Sequence, residues 1–141
     1  MRRVYLDSCA YIYLIDDHPT WAREVARILS QAEAGKHEVV ASPLVLHEVL
    51  TGLYSEEAEE PRAIHIYGLL TTHPGIRWIA YDLETADLSA QLRARHGSLK
   101  SPDAIHLATA LREKCQVMVT NDAVLARVAR FSGLATERLG T

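Results

Sequence analysis

Residues 101–122 read SPDAIHLATALREKCQVMVTND, and the organisation of the chain can be worked out from this stretch. Ser101 is a good helix N-cap and Pro102 suits a first helical turn. Ile105, Leu107, Ala108 and Leu111 then supply an apolar helical face as far as about Lys114. Gln116 to Thr120, centred on Val117, Met118 and Val119, is short, apolar and β-branched, as a buried strand should be. Asn121 and Asp122 open a further helix carrying Val124, Leu125 and Val128, which Gly133 ends. The unit is helix, buried strand, capped helix.

The same unit recurs toward the amino terminus. Val4 to Leu6 predicts a strand ending at Asp7, with a short helix near Tyr11 to Ile15. Pro19 suits the first turn of the next helix, whose Trp21, Val25, Ile28, Leu29 and Ala32 run to Gly35. Glu38 to Ala41 predicts a second strand, and Ser42-Pro43 starts a helix bearing Leu46, Val49, Leu50 and Leu53. The acidic run Glu56, Glu57, Glu59 and Glu60 reads as a solvated edge. Pro61 restarts a helix with Ile64, Tyr67, Leu69 and Leu70. Ile76 to Tyr81 predicts a third strand, Asp82 caps a helix with Leu83, Ala86, Leu88 and Leu92, and Ala135 to Leu139 allows a weak last strand. Strands alternating with helices predict an α/β fold: a three-layer α/β/α arrangement on a central parallel sheet of four to five strands.

The chain has 141 residues, 48% hydrophobic and 23% charged, which suits one globular domain spanning 1–141. No apolar run approaches a membrane span. Asp7 interrupts any signal-like segment after Arg2 and Arg3, so a cytoplasmic location is expected. Cys9 and Cys115 form no CxxC pair and are expected to be free, buried thiols. Net charge is −3. Setting four acids aside as metal ligands would leave 15 basic against 14 acidic residues, so the overall balance leaves the partner open.

Parallel sheets bind ligands at the carboxyl ends of their strands. Asp7 ends the first strand, Asp122 follows the fourth, Asp103 lies in the first turn of the 101–114 helix, and Glu48 lies in the helix opened by Ser42. Each has an ordinary reading: a turn former for Asp7, a helix N-terminal charge for Asp103, an N-cap for Asp122, a solvent-facing residue for Glu48. Together they fall where a site is expected. Carboxylates sharing one cleft repel, so some protonate or a cation binds. Oxygen donors suit Mg²⁺ or Mn²⁺. Such ions polarise phosphoryl oxygens, activate water and stabilise a leaving oxygen, and phosphodiester hydrolysis is their natural task.

Other chemistries lack their signatures. There is no Gly-x-Gly, no P-loop and no Gly-x-Ser-x-Gly elbow. His47-Glu48 opens like a zincin motif, but position 51 is Thr. An aspartyl phosphatase would carry a second Asp where Cys9 stands.

Val4-Tyr5-Leu6-Asp7-Ser8 resembles the opening of a PIN domain. Ser101-Pro102-Asp103-Ala104-Ile105-His106-Leu107-Ala108-Thr109-Ala110 resembles that family's third acidic segment, Thr120-Asn121-Asp122 its fourth, and Glu48 falls where its second acid belongs. The resemblance spans essentially the whole chain. It implies a metal-dependent endoribonuclease of the VapC toxin type, forming a homodimer and silenced by a small antitoxin protein. It further implies that Asp7, Glu48, Asp103 and Asp122 hold Mg²⁺ or Mn²⁺, with Thr120 supporting the site through a hydrogen bond and Ser8 beside it. Cys9, where the family commonly has Asn, departs from the pattern behind the ligands and not at them. His106, three residues after Asp103 and on the same helix face, reads first as a core-edge histidine; otherwise it orients a ligand or meets the RNA substrate. Lys100, Arg93 and Arg95 read either as a solvated helix face or as candidate phosphate contacts, Lys100 being nearest in sequence to the acids. No aromatic residue is expected to stack on a base. The competing readings are a metal-dependent phosphatase or DNA nuclease on the same carboxylates, and a non-catalytic binding module.

Overall fold

The computed structural model describes residues 1–140. Five parallel strands, β1 (Arg3–Leu6), β2 (Glu38–Ala41), β3 (Ile76–Trp78), β4 (Val117–Val119) and β5 (Ala135–Glu137), form one sheet in the order β3-β2-β1-β4-β5. Between them run α1 (Ser8–Ile15), α2 (Ala22–Glu33), α3 (Pro43–Tyr54), α4 (Glu60–Thr71), α5 (Leu83–Arg95), α6 (Ser101–Arg112) and α7 (Ala123–Phe131). The expected three-layer α/β/α architecture is present, and the weak last strand is the fifth of the sheet. No described helix is long and apolar enough to cross a membrane.

Period-two alternation splits the core between the sheet's two faces. Val4, Leu6, Val39, Ala41, Val117 and Val119 pack on one face with residues of α1 to α4. Tyr5, Val40 and Met118 pack on the other with Leu92, Leu107, Leu125 and Val128 from α5, α6 and α7. Since both faces are covered, the three central strands β1, β2 and β4 carry unbroken apolar runs, Val4–Leu6, Val39–Ala41 and Val117–Val119. From β1 the chain builds outward to β2 and β3 on one side and to β4 and β5 on the other. The reversal of strand order between β1 and β4 makes the rim beyond Leu6 and Val119 a topological switch point.

Local start signals hold at most helices. Ser42 accepts from the Leu44 N–H at 3.2 Å, Asp82 from Thr85 at 2.8 Å and Asp122 from Leu125 at 2.9 Å. Asp7 ends β1 and at once caps α1, accepting from Ser8 N at 2.8 Å, so that helix begins earlier than the Tyr11 expected.

Other expectations are corrected. Helix α6 starts one residue early: Lys100 occupies the cap position without a side-chain bond, Ser101 is already helical, and Pro102 sits in the second position, where its missing N–H costs nothing. Helix α2 starts at Ala22, beyond Pro19. The His18 ring accepts from the N–H groups of Thr20 and Trp21 at 3.1 and 3.2 Å, holding Pro19 in a turn. Strand β3 stops at Trp78 because it is the sheet edge, and only Ile79 N donates further, to Ala41 O at 2.8 Å. Helix α4 turns Ala63 and Leu70 inward and leaves Ile64, Tyr67 and Leu69 exposed. Leu83 of α5 is 89% exposed. Cys115 is buried as expected, but Cys9 is only partly so.

Candidate active site

The predicted acids gather at the switch-point rim. Asp7, Asp103 and Asp122 line one cavity of about 370 Å³ together with Ser8, Cys9, Tyr13 and Asn121. β1 delivers Asp7, the first turn of α6 delivers Asp103, and the cap of α7 delivers Asp122. Glu48, on α3, does not line this cavity; it borders a neighbouring trough between α1, α3 and α4. Lys100 is exposed at the start of α6.

Asp7 is 5% exposed and firmly held. Its Oδ1 accepts from Ser8 N, and its Oδ2 accepts from the Thr120 hydroxyl at 2.9 Å and from the Cys9 thiol at 3.6 Å. Thr120 Oγ1 in turn accepts from Asp122 N at 3.1 Å, so one buried hydroxyl ties two acids together. Burial and the Asp7 charge push the Cys9 thiol up to about 12, which keeps it a donor to Asp7.

Glu48 is tied to the other acids through a buried relay. His106, fully buried, bonds Glu48 Oε1 through Nε2 at 2.5 Å and the Tyr5 hydroxyl through Nδ1 at 2.5 Å, with Asp7 Oδ1 at 3.9 Å from Nε2. Burial raises the Tyr5 phenol far above its ordinary range, so its O–H donates to Nδ1 and leaves Nε2–H to donate to Glu48. Each member shares an element with an acid or is one. Tyr5 precedes Asp7 by two residues on β1, and His106 is one helical turn from Asp103 on α6. Burial alone would raise the Glu48 carboxyl, but the hydrogen bond from His106, with smaller help from Ser8 and His47, holds it below the usual glutamate range.

Asp103 responds in the opposite sense. Burial, then the charges of Asp7 and Asp122, raise it to about 6; His106 offsets part of this, and Glu48 adds to it. All three other acids act on this one group, so the four share a single electrostatic neighbourhood. Among the described residues no group of three or more His, Cys, Asp or Glu side chains is disposed to hold a metal ion. An open set of carboxylate oxygens suits a hard divalent cation, which Mg²⁺ sites typically bind through one or two carboxylates with water and substrate oxygens completing the shell. The type of donor fits such an ion, with at most two of these carboxylates binding it at once and oxygens from water or substrate making up the rest.

Several neighbours of the acids were not singled out from sequence. Tyr13 lines the cavity; it lies four residues after Cys9 on α1, the helical signal that could have placed it there. Asn121, between Thr120 and Asp122, lines it too. Of the three readings of His106, its full burial fits a core histidine and leaves no surface for a substrate, while its bond to Glu48 orients that carboxylate. Arg93 donates through Nε to Leu99 O at 3.0 Å.

A three-layer fold with carboxylates massed at its switch point defines a class of acidic, nuclease-like α/β domain. The PIN domain family model matches residues 4–131, and the chain belongs to that family, whose nucleases generally use divalent metal ions. No curated protein sequence matches the chain. Solved structures do match its fold. A chain of the VapBC2 complex from Rickettsia felis, bound to a promoter DNA fragment, aligns with TM-score 0.76 and 17% identity over 97% of this chain and 98% of that one. A chain of DNA-bound VapBC from Salmonella typhimurium gives 0.72 and 22% over 98% of each. One from VapBC-1 of nontypeable Haemophilus influenzae gives 0.70 and 16% over 96% and 97%.

Proposed function

We propose that this protein is a metal-dependent endoribonuclease and the toxin of a type II toxin–antitoxin pair. The observation that carries the nuclease reading is the convergence of Asp7, Asp103 and Asp122 on one cavity, with Asp103 pushed up to about 6 by burial and by its acidic neighbours. Asp7 and Asp103 serve as the central ligands for Mg²⁺ or Mn²⁺, with Asp122 and Glu48 completing the acid set. A divalent ion bound there supplies positive charge to a phosphodiester and activates water for its hydrolysis. Thr120 holds Asp7 and Asp122 in register, and Ser8 and His106 hold Asp7 and Glu48. Lys100, exposed three residues before Asp103, contacts a substrate phosphate.

The toxin reading is supported by fold neighbours that are chains of toxin–antitoxin complexes. It brings with it a small antitoxin that covers the acid cleft, a homodimer, and a cytoplasmic site of action on RNA.

The test compares single-stranded RNA, DNA and a phosphomonoester as substrates for purified protein, in Mn²⁺ and in excess EDTA, with Asp7→Asn alongside. RNA cleavage that needs the ion and falls by about a thousandfold or more in the variant is expected, since a single ligand change removes the charge that stabilises the transition state. Undiminished cleavage by Asp7→Asn contradicts the assignment. Preference for DNA or for the monoester replaces the substrate but keeps the site.

A further inference from the structure

The loop that joins α5 to α6, residues 96–100, is fastened at both ends. Leu99 anchors it: its side chain is buried in the core shared by α5, α6 and α7, its N–H donates to His96 O at 2.9 Å, and its carbonyl accepts from Arg93 Nε at 3.0 Å. Two contacts then tie the loop to α7. Arg127 Nη2 donates to Ser98 Oγ at 3.0 Å, and the His96 ring meets the Phe131 ring edge to face, with centroids 5.1 Å apart and planes at 74°. Ala123, Arg127 and Phe131 recur at four-residue intervals along one face of α7. That face begins beside Asp122, which caps α7, and the loop ends at Lys100, which opens α6 three residues before Asp103. Two cations and an aromatic ring thus lie along one path leading away from the acids.

Lys100 and Arg127 are exposed. Among the described residues neither forms an ion pair with a carboxylate, and Arg127 bonds only a neutral hydroxyl. The acids nearest to them in sequence are Asp103 and Asp122, whose charge a divalent ion in the cavity takes up. Guanidinium is the side chain best matched to phosphate oxygens. Phe131 is 80% exposed, so its ring is not part of the core. Held by His96, the ring leaves surface open to a nucleobase, and every base has a π-face to offer it. Cations interleaved with an open aromatic ring suit an unpaired strand, because the bases of a duplex are already stacked on one another. Resting on the ribonuclease reading, we propose that Phe131 is a stacking platform for an unpaired base of the RNA, and that Arg127 holds a backbone phosphate between that base and the acid cavity.

The test measures binding of a fluorescent single-stranded RNA by anisotropy across a salt series, with Mn²⁺ present, in an Asp103→Asn background that suppresses cleavage. Phe131→Leu keeps apolar bulk and removes the ring; it should weaken binding at least about fivefold and leave the slope of log affinity against log salt unchanged. On an oligomer of equal charge that lacks bases, the same variant should bind like its parent. Arg127→Gln keeps an N–H for Ser98 and should lower the salt slope by about 0.7, the contribution of one phosphate contact on a single strand. Arg27→Gln, at an exposed position on α2, should change neither quantity, and thermal melts check that the fold is unaltered. An unchanged affinity in Phe131→Leu, or an unchanged slope in Arg127→Gln, overturns the platform while leaving the ribonuclease reading intact. If Phe131→Leu shifts the sedimentation of the free protein and not its affinity for RNA, this face meets protein and the proposal fails. Absence of any RNA binding by the Asp103→Asn parent overturns both readings.

Discussion

The two ends of this sheet handle charge in opposite ways. At the amino-terminal rim, Glu38 at the start of β2 takes the guanidinia of Arg3 and Arg77 at 3.4 and 2.9 Å, and Arg77 reaches Glu113 at 3.5 Å. Arg3 also donates to Glu113 O and receives the Gln116 side chain at its backbone N–H. Positive and negative groups alternate and neutralise one another. At the carboxyl-terminal rim Asp7, Asp103, Asp122 and Glu48 share one neighbourhood, and the one ring bonded among them, His106, reaches Glu48 at 2.5 Å and Asp7 at 3.9 Å. Nothing in the strands themselves demands this difference, because both rims terminate the same five parallel strands. The difference shows that one rim is arranged for stability while the other retains unbalanced charge that a cation can satisfy.

Breaking the relay behind Glu48 should have the largest effect on this contrast. His106→Phe leaves Glu48 without its donor, and divalent-ion affinity should fall about 10- to 100-fold, as for other groups that orient ligands from behind. His106→Gln, which can still place an N–H near Glu48, should recover part of that loss. Equal loss in both variants would show that His106 acts through packing alone. In ¹⁵N spectra of histidine-labelled protein His106 should appear with its proton on Nε2, a signature that Tyr5→Phe should weaken.

A smaller effect follows from Asp103. Its carboxyl holds a proton more tightly in the folded chain, up to about 6, than in the unfolded chain, near 4. Between those values the folded state binds more protons, so without metal this group's contribution to stability declines as pH rises through the window. Allowing for solvent screening of a half-buried group, the loss is on the order of 1 kcal/mol. Denaturation of metal-free protein at pH 4 and pH 7 should show that decline, and Asp103→Asn should lack it. An identical pH dependence in the two proteins would refute the shared neighbourhood.

The smallest effect belongs to the paired rim. Glu38→Gln removes a carboxylate shared by two partly exposed arginines and should cost about 1 kcal/mol or less, with the difference shrinking in high salt. RNA cleavage should be unchanged. A large loss of activity there would show that the two rims are not independent.

The acids were legible because their signals are local. A polar residue closing an apolar run, or capping a helix, marks a strand end whichever fold surrounds it, and Asp7 and Asp122 do both jobs at once. What joins them was not legible. Tyr5 and His106 stand 101 residues apart, and only the packing of α6 on β1 brings the hydroxyl to the ring. Glu48 was read with the other acids, yet it borders a separate trough and belongs to the group through His106. The inner face of α4 was misread because apolar residues occur on more than one side of that helix, and contact with the rest of the fold selects Ala63 and Leu70. Likewise Ser101-Pro102 looks like Ser42-Pro43, but the proline sits one position later in its helix, a shift that short-range preference does not separate.

The central claim is that the acidic rim is a divalent-cation site. Calorimetric titration of Mn²⁺ into the protein at pH 7.5, in parallel with Asp7→Asn, tests it most directly. Saturable binding to wild type, weakened at least tenfold in the variant while its far-ultraviolet dichroism stays unchanged, is the predicted result. Equal binding to both proteins, or none to either, would contradict it.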